Sequence, residues 1–587
     1  MILSWLFCQA SYNNVVMGVI QKKSQEVYMK LRKVIVHNFR SILDGEFEVS
    51  NYGLIVGENN SGKTNLLSAL RVFYEDGGAK FEPSRDFPKV ATADNESWIE
   101  LHFETTDIEQ EGLRDAYKSS DRILRVRKYL QSDEGKVKAK QSNIYAYENG
   151  KLSENLFYGA ANISSSKLGS IIYIPAVSKV EDTLKTTGPS PFRDLINLVM
   201  KKVIAKSPIF ESLNEAFSDF NEKFKEEESS GLSIEAIKKD INTELSQWGV
   251  GLDIEVTPIK TDDLVKNLLK PHIEDQKLNG QRVDIGSFGQ GLQRHLIYTL
   301  IKMSAQYSNP IPPSKKEFNP DFTLLLFEEP EAFLHPSQQD VLFRSLKELA
   351  NTEGQQVLVS THSAQFVGKS VKDILSIVRL HRTGEHTEIH QLTDSKLQEL
   401  LDNNLVAARA FGEDADPAFD QQARMADEEL RYFLWLDSER SSLFFARHVL
   451  LCEGASEKVY LDYLADNEWV FLRESRVYVL DCLGKFNLHR FIHLLTELGV
   501  PHSVLFDGDN DRGKHQKWNQ IVKDAATHLT MGIHQFDEDL EGFLGIAKPA
   551  DRPDLKPINV IKSHVSGGID ATKKHDLENI VRGIMGV

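Results

Sequence analysis

Gly53-Leu54-Ile55-Val56-Gly57-Glu58-Asn59-Asn60-Ser61-Gly62-Lys63-Thr64 decides the fold. Residues 53–56 are a short apolar strand, a glycine-rich turn follows, and Asn65 to Phe73 carries apolar residues at helical spacing. In a strand, glycine-rich loop and helix read in that order, the loop and the helix start cradle phosphates with backbone N–H groups. Gly57, Asn60 and Gly62 shape the loop so that the main chain can approach the phosphates. Lys63 brings charge to the β and γ phosphates, and the Thr64 hydroxyl reaches a Mg²⁺. ATP with one Mg²⁺ is the cofactor this stretch predicts.

Working outward, residues 30–37 alternate like a half-buried strand, and 38–42 turn. Residues 171–175, 323–327 and 356–360 are near-continuous apolar runs, which suit a parallel sheet covered on both faces. Phe327-Glu328-Glu329-Pro330-Glu331 closes one of them. A carboxylate at a strand end can hold Mg²⁺ through water, the role expected of Glu328, and the next can orient or deprotonate the attacking water, the role expected of Glu329. Ser360-Thr361-His362-Ser363 closes the next strand. Ser287-Phe288-Gly289-Gln290-Gly291 opens a helix, where an anion is favoured. Residues 122–140 read as a hairpin: Arg125 and Arg127 on one strand, a turn at 132–135, and Lys136 to Lys140 returning. Its cations are either a solvated face or a ribbon that meets nucleic acid.

The second half is acidic in a different pattern. Glu453 ends the apolar run Val449-Leu450-Leu451-Cys452, and Glu457 lies one helical turn on. Asp507 ends another strand, followed by Asp509 and Asp511, and Asp539 and Glu541 come later. Adjacent strand ends of a parallel sheet bring such residues together. Converging carboxylates repel unless cations bind between them, and oxygen-only ligands select Mg²⁺ or Mn²⁺. Two ions about 4 Å apart would activate a water and stabilise a leaving oxygen. Catalysis is therefore expected of Glu453, Asp507 and Asp509, with Glu457, Asp511, Asp539 and Glu541 as further metal ligands.

The first set of motifs, in this order, resembles the SMC-like branch of ABC ATPases. That resemblance implies that Ser287, Gly289 and Gln290 grip the γ-phosphate held by a second subunit, that His362 is the switch histidine, and that the protein is a dimer. Glu328 stands where most ABC proteins have Asp. The second set resembles a Toprim domain, with Glu453 as its glutamate and Asp507 and Asp509 as its paired aspartates. An SMC-like ATPase followed by a Toprim domain resembles the OLD (overcoming lysogenization defect) nucleases, which include the Gabija nuclease subunit and retron-associated effectors. The family implies ATP binding, DNA cleavage, a homodimer or dimer of dimers, and antiphage defence. It also implies a second component (a helicase, or a retron reverse transcriptase with its msDNA) and a late lysine near the site: Lys548, Lys573 or Lys574.

The expected architecture is α/β: a leader at 1–28, disordered or upstream of the true start, an ATPase head at 29–395 with a helical, dimerising insertion at about 181–280, a linker at 396–445, a Toprim domain at 446–545 and its extension at 546–587. At 587 residues the chain is too long for one core. Its net charge of −17 argues against a broadly DNA-coating surface but permits a local basic groove. Cys8, Cys452 and Cys482 form no CxxC pair, which speaks against a zinc-bearing primase and fits a cytoplasmic setting. No apolar run reaches the roughly 20 residues of a membrane span. A topoisomerase would need a nucleophilic tyrosine on a separate DNA-binding domain. A non-catalytic SMC-like or RecF-like clamp is the alternative from another class, and the full acidic set counts against it.

Overall fold

The computed structural model describes residues 28–158, 167–176, 233–252, 272–284, 287–307, 317–368, 370–409, 439–511, 513–548 and 552–587, with scattered positions between 196 and 219. The chain divides into two compact units: 1–176, 311–332 and 336–587, and 177–310 with 333–335. Apart from Tyr28, the leader lies outside the described residues, as do much of the helical insertion and of the linker.

In the first unit, β1 (Lys30–Phe39), β2 (Ile42–Glu48), β3 (Tyr52–Gly57), β4 (Ser97–Glu104), β5 (Ile123–Gln131), β6 (Ile144–Glu148), β7 (Lys151–Leu156) and β8 (Ser170–Ile174) come first. The second unit holds a small hairpin, β9 (Ile273–Asp275) and β10 (Gln281–Val283), and the helices Ile234–Leu245 and Gln290–Tyr307. The first unit resumes with β11 (Thr323–Glu328), β12 (Gln355–Ser360), β13 (Ile377–Thr383) and β14 (His386–Gln391), then β15 (His448–Cys452), β16 (Val477–Asp481), β17 (His502–Asp507) and β18 (Thr530–Phe536).

An antiparallel sheet runs in the order β2-β1-β4-β5-β6-β7, and a second sheet runs β14-β13-β3-β12-β11-β8. In the second, β8, β11, β12, β3 and β13 are parallel, with β14 antiparallel at the edge. The two sheets share one core with the helix Lys63–Tyr74, whose Leu66, Leu67, Leu70 and Phe73 are buried. Because β3 lies at the centre, its phosphate loop opens beside the ends of β11 and β12, where Glu328 pairs in register with Ser360.

A third sheet, β16-β15-β17-β18, is wholly parallel. The chain's last helix, Ala571–Met585, packs on this core through Leu577, Val581, Ile584 and Met585. Gly532 permits that packing, since a Cβ there would lie 2.7 Å from the Ile584 Cα. Cys452 and Cys482 are buried and free. Among the described residues no helix is long and apolar enough to cross a membrane.

The hairpin expected at 122–140 differs in its return. The strand that returns beside β5 is β6, with Val126 opposite Ala146, and residues 136–140 are outside any strand. Ile144, Tyr145 and Ala146 are buried there, whereas alternating lysines at 136–140 offer little area to bury. The basic ribbon is also largely neutralised. Arg127 pairs with Glu100 and stacks on Trp98, Arg125 pairs with Asp121 at 2.5 Å, and Lys128 pairs with Glu75.

One side chain joins the third sheet to the second. Arg379 on β13 is 1% exposed and donates to the carbonyls of Leu498 (3.1 Å), Gly499 (2.9 Å) and Ala446 (2.9 Å). Burial pulls its guanidinium down to about 10, opposed by the charge of Glu58 in the phosphate loop. Arg379→Met keeps much of the volume but no donor, and each carbonyl then loses a partner worth about 1–3 kcal/mol. Urea denaturation should show a loss of about 3 kcal/mol or more. An unchanged midpoint and slope would contradict this account.

Candidate functional sites: a nucleotide cleft and an acidic cluster

The nucleotide cleft is built where β3 ends. Gly57 (φ 145°) and Gly62 (φ 108°) take backbone conformations that L side chains avoid, and a Cβ at Gly57 would lie 2.3 Å from the Leu380 carbonyl oxygen. Lys63 is buried and donates back to the carbonyls of Gly57 (3.0 Å) and Glu58 (2.8 Å), the positions a triphosphate would compete for. Burial lowers its ammonium to about 8, against the charges of Glu329, Glu331, Glu328 and Glu58. A cleft of about 700 Å³ is lined by Asn59, Asn60, Gly62, Lys63, Thr64, Asn65, Glu329 and His362.

The carboxylates after β11 differ in their surroundings. Glu328 accepts from the Thr64 hydroxyl at 2.6 Å and from the Tyr173 hydroxyl. Glu329 is held at φ 43°, with its carboxylate 3.3 Å from His362 Nε2. Burial, then the charge of Lys63, lowers the His362 pKa, while Glu329 raises it.

Two features here escaped the sequence reading. Glu331 is largely buried and accepts from the His362 backbone N–H at 2.7 Å, fixing the loop that carries the histidine. Arg40, read only as part of a turn, bonds Asp86 at 2.9 Å and Ser68 at 3.1 Å. Burial raises the Asp86 carboxyl, but Arg85, the Glu82 backbone and Arg40 outweigh it and bring it to about 2. Ser287 and Gly289 are exposed at the start of the helix Gln290–Tyr307, in the second unit.

The acidic cluster forms at the C-terminal ends of β15 and β17. The Glu453 carboxylate accepts from the Asp507 backbone N–H at 3.1 Å, and Asp507 accepts from Leu540 N–H at 3.2 Å. Glu457 is buried in the first turn of the helix Ala455–Asn467 and accepts from Gly454 N–H at 3.0 Å. Glu541 lies 3.5 Å from the Ser456 hydroxyl, and its Oε2 is buried without a hydrogen bond. Asp539 caps the helix Leu540–Leu544. The Asp511 side chain lies outside the described residues, and Asp509 (φ 50°) and Asn510 (φ 56°) both take left-handed backbone.

Cations stand around this cluster. Lys485, absent from the sequence reading, is 1% exposed and bonds Asp509. Of the late lysines, Lys548 pairs with Asp539 at 2.8 Å, whereas Lys574 pairs with Glu468 and Lys573 lies over the Phe543 ring. Lys556, not among those expected, lies 3.8 Å from both Asp539 and Glu541.

The electrostatics ask for more positive charge. Burial, then Glu457, Glu453, Asp539 and Glu541, raises the Asp507 carboxyl to about 9. Burial, then the charges of Glu453 and Glu541, raises Glu457 to about 8. Donor type, a buried Glu541 oxygen without a hydrogen bond and mutual repulsion fit hard divalent cations. Among the described residues, though, no group of three or more His, Cys, Asp or Glu side chains is placed to hold a metal ion.

The raised values fix the sign of a pH effect. Groups whose folded pKa exceeds the ordinary 3.8 or 4.5 stabilise the fold fully below those values and lose that contribution as pH rises through about 8 to 9. Metal-free protein should therefore melt progressively lower from about pH 5 to about pH 9, and Mg²⁺ should reverse most of the loss at the alkaline end. A melting temperature that rises with pH in EDTA would contradict this.

A phosphate loop with converging strand-end carboxylates, and a parallel sheet with an acidic edge, define an ATPase joined to a Toprim module. Comparison with known proteins gives the same division. The model described as AAA ATPase domain matches residues 29–172 and 161–367. The model described as overcoming lysogenization defect protein-like, TOPRIM domain matches 444–509. The Old nuclease of Escherichia phage P2 is 24% identical over 492 residues, covering 82% of this chain and 77% of that protein. The endonuclease GajA of Bacillus cereus (strain VD045) is 22% identical over 532 residues, covering 87% and 80%. Among solved structures, an Smc head bound to the C-winged helix domain of ScpA covers 63% of this chain and 99% of its own, at 15% identity and a TM-score of 0.34. The chain belongs to the AAA ATPase domain family, whose model spans more than half of it, and carries an OLD-like Toprim domain: it is an enzyme with an ATPase domain and a Toprim nuclease domain.

Proposed function

We propose that the protein is an ATP-regulated, divalent-metal-dependent DNA endonuclease and an effector of antiphage defence. The observation that carries this reading is the juxtaposition of Glu453, Glu457, Asp507 and Glu541 at one sheet end, where burial and like charge hold Asp507 and Glu457 far above the carboxylate range. Relatives named as nucleases support it. Mg²⁺ or Mn²⁺ held by Glu453, Asp507 and Asp509 would supply an activated water and a stabilised leaving oxygen. Glu457, Asp539 and Glu541 complete the donor set, with Asp511 as a further ligand. Lys548 and Lys556 neutralise its far side.

In the nucleotide cleft, Lys63 and Thr64 hold the phosphates and their cation, Glu328 completes that cation's surroundings, and Glu329 with His362 orients the attacking water. Ser287, Gly289 and Gln290 meet a second copy's nucleotide in a homodimer or dimer of dimers. A second defence component, helicase or reverse transcriptase, sets the trigger.

Supercoiled plasmid tests the reading. Nicked or linear product should form with Mg²⁺ or Mn²⁺, disappear in EDTA and change in amount with ATP. Intact plasmid under every metal condition would refute it.

A further inference from the structure

Lys485 has a place that its position in the sequence does not announce. It follows β16, in the loop Cys482-Leu483-Gly484-Lys485, where Leu483 (φ 58°) and Gly484 (φ 106°) adopt left-handed backbone. Gly484 N–H donates to the Glu453 carbonyl at 2.7 Å and Cys482 N–H to the Cys452 carbonyl at 3.0 Å, so the loop is sewn to the strand end that carries Glu453. The Lys485 ammonium then reaches three acceptors: the Asp507 carbonyl at 2.6 Å, the Asn519 side-chain oxygen at 3.3 Å and the Asp509 carboxylate. It lies 3.9 Å from the Glu453 carboxylate.

Asn519 completes the arrangement by donating to the Gly508 carbonyl at 2.8 Å. Each residue of Asp507-Gly508-Asp509 is thus held by Lys485 or its partner. Held so, Asp509 keeps its left-handed conformation and its carboxylate stays on the side of Glu453. His515 Nδ1 lies 2.8 Å from the same Asp509 carboxylate but is poorly aligned for a hydrogen bond and is more exposed than Lys485.

We propose that Lys485 is a positioning residue of the cleavage site: a buried ammonium that tethers the Asp507–Asp509 loop beside Glu453, so that an incoming divalent cation has less rearrangement of these carboxylates to drive. The inference rests on the nuclease reading of the acidic cluster. Without such an internal cation, bare carboxylates brought together would swing apart, and cation binding would have to gather them. Groups that orient metal ligands typically change metal affinity by about 10–100-fold when removed.

The test measures Mn²⁺ binding without nucleotide or DNA, by the electron paramagnetic resonance of free Mn²⁺, beside plasmid nicking, ATP hydrolysis and melting temperature. Lys485→Met should weaken Mn²⁺ binding at least about tenfold and raise the Mn²⁺ needed for half-maximal nicking in step, with ATP hydrolysis as in the parent. Asn519→Ala, which keeps the ammonium, should move both in the same direction by about threefold. It decides the matter if Lys485→Met loses ATP hydrolysis and melts early. Mn²⁺ affinity that is unchanged, or tighter because the ammonium merely competes with cations, would overturn the inference while the parent still nicks. A parent that neither binds Mn²⁺ nor nicks would instead overturn the nuclease reading, and this inference with it.

Discussion

Glu453→Ala or Asp507→Ala abolishes plasmid nicking while ATP hydrolysis continues near the parent rate. The expected loss of cutting is on the order of a thousandfold or more, because each side chain is a proposed cation ligand. Glu453 also accepts from the Asp507 backbone N–H, so Glu453→Ala frees that donor as well, whereas Asp507→Ala leaves it in place. ATP hydrolysis is spared because Lys63, Glu328, Glu329 and His362 lie at the ends of strands in a different sheet. Asp507→Ala also removes a carboxylate from a crowded cluster, so that variant should be at least as stable as the parent in EDTA. Parallel nicking and ATPase assays on one preparation decide it: cutting retained by both variants would remove the Toprim assignment of these residues.

Lys63→Ala loses most ATP binding, whereas Glu329→Gln binds ATP and hydrolyses it at least about a hundredfold more slowly. The two effects differ because the residues act at different stages. Lys63 is the cation of the loop, already turned toward the Gly57 and Glu58 carbonyls that a triphosphate would displace. Glu329 lines the same cleft beside His362, where the proposed mechanism has it orient the attacking water. Its amide variant keeps the shape and loses the base. Nucleotide affinity from a fluorescent ATP analogue and phosphate release separate the two variants. Normal hydrolysis by Lys63→Ala would show that the cleft is misassigned.

The fold was legible wherever a local pattern and a buried strand coincided. The runs at 53–56, 323–327, 356–360 and around 448–452 announce themselves because a strand covered on both faces must be apolar throughout. The return of the 122–140 hairpin was misplaced because alternating lysines and small residues mimic a strand face locally. The choice of β6 over it depends on burial against β5, which only the assembled sheet supplies. The carboxylates were found because each ends or follows a strand. Lys485, Lys556, Glu331 and Arg40 were missed for one reason: their partners are distant in sequence, and neither a lone lysine nor an arginine in a turn carries a spacing signal. Lys485 meets Asp507 across 22 positions and Arg379 meets Gly499 across 120.

Arg379 also sets how this protein can be recombined. A chimera that exchanged the nuclease half for a relative's, with its junction between Arg379 and Ala446, would leave the guanidinium with one parent and all three carbonyls with the other. Such hybrids should succeed only when the incoming half presents matching carbonyls, or when the exchange begins upstream of β13. The cassette that travels intact is therefore longer than the nuclease module: it starts inside the ATPase sheet.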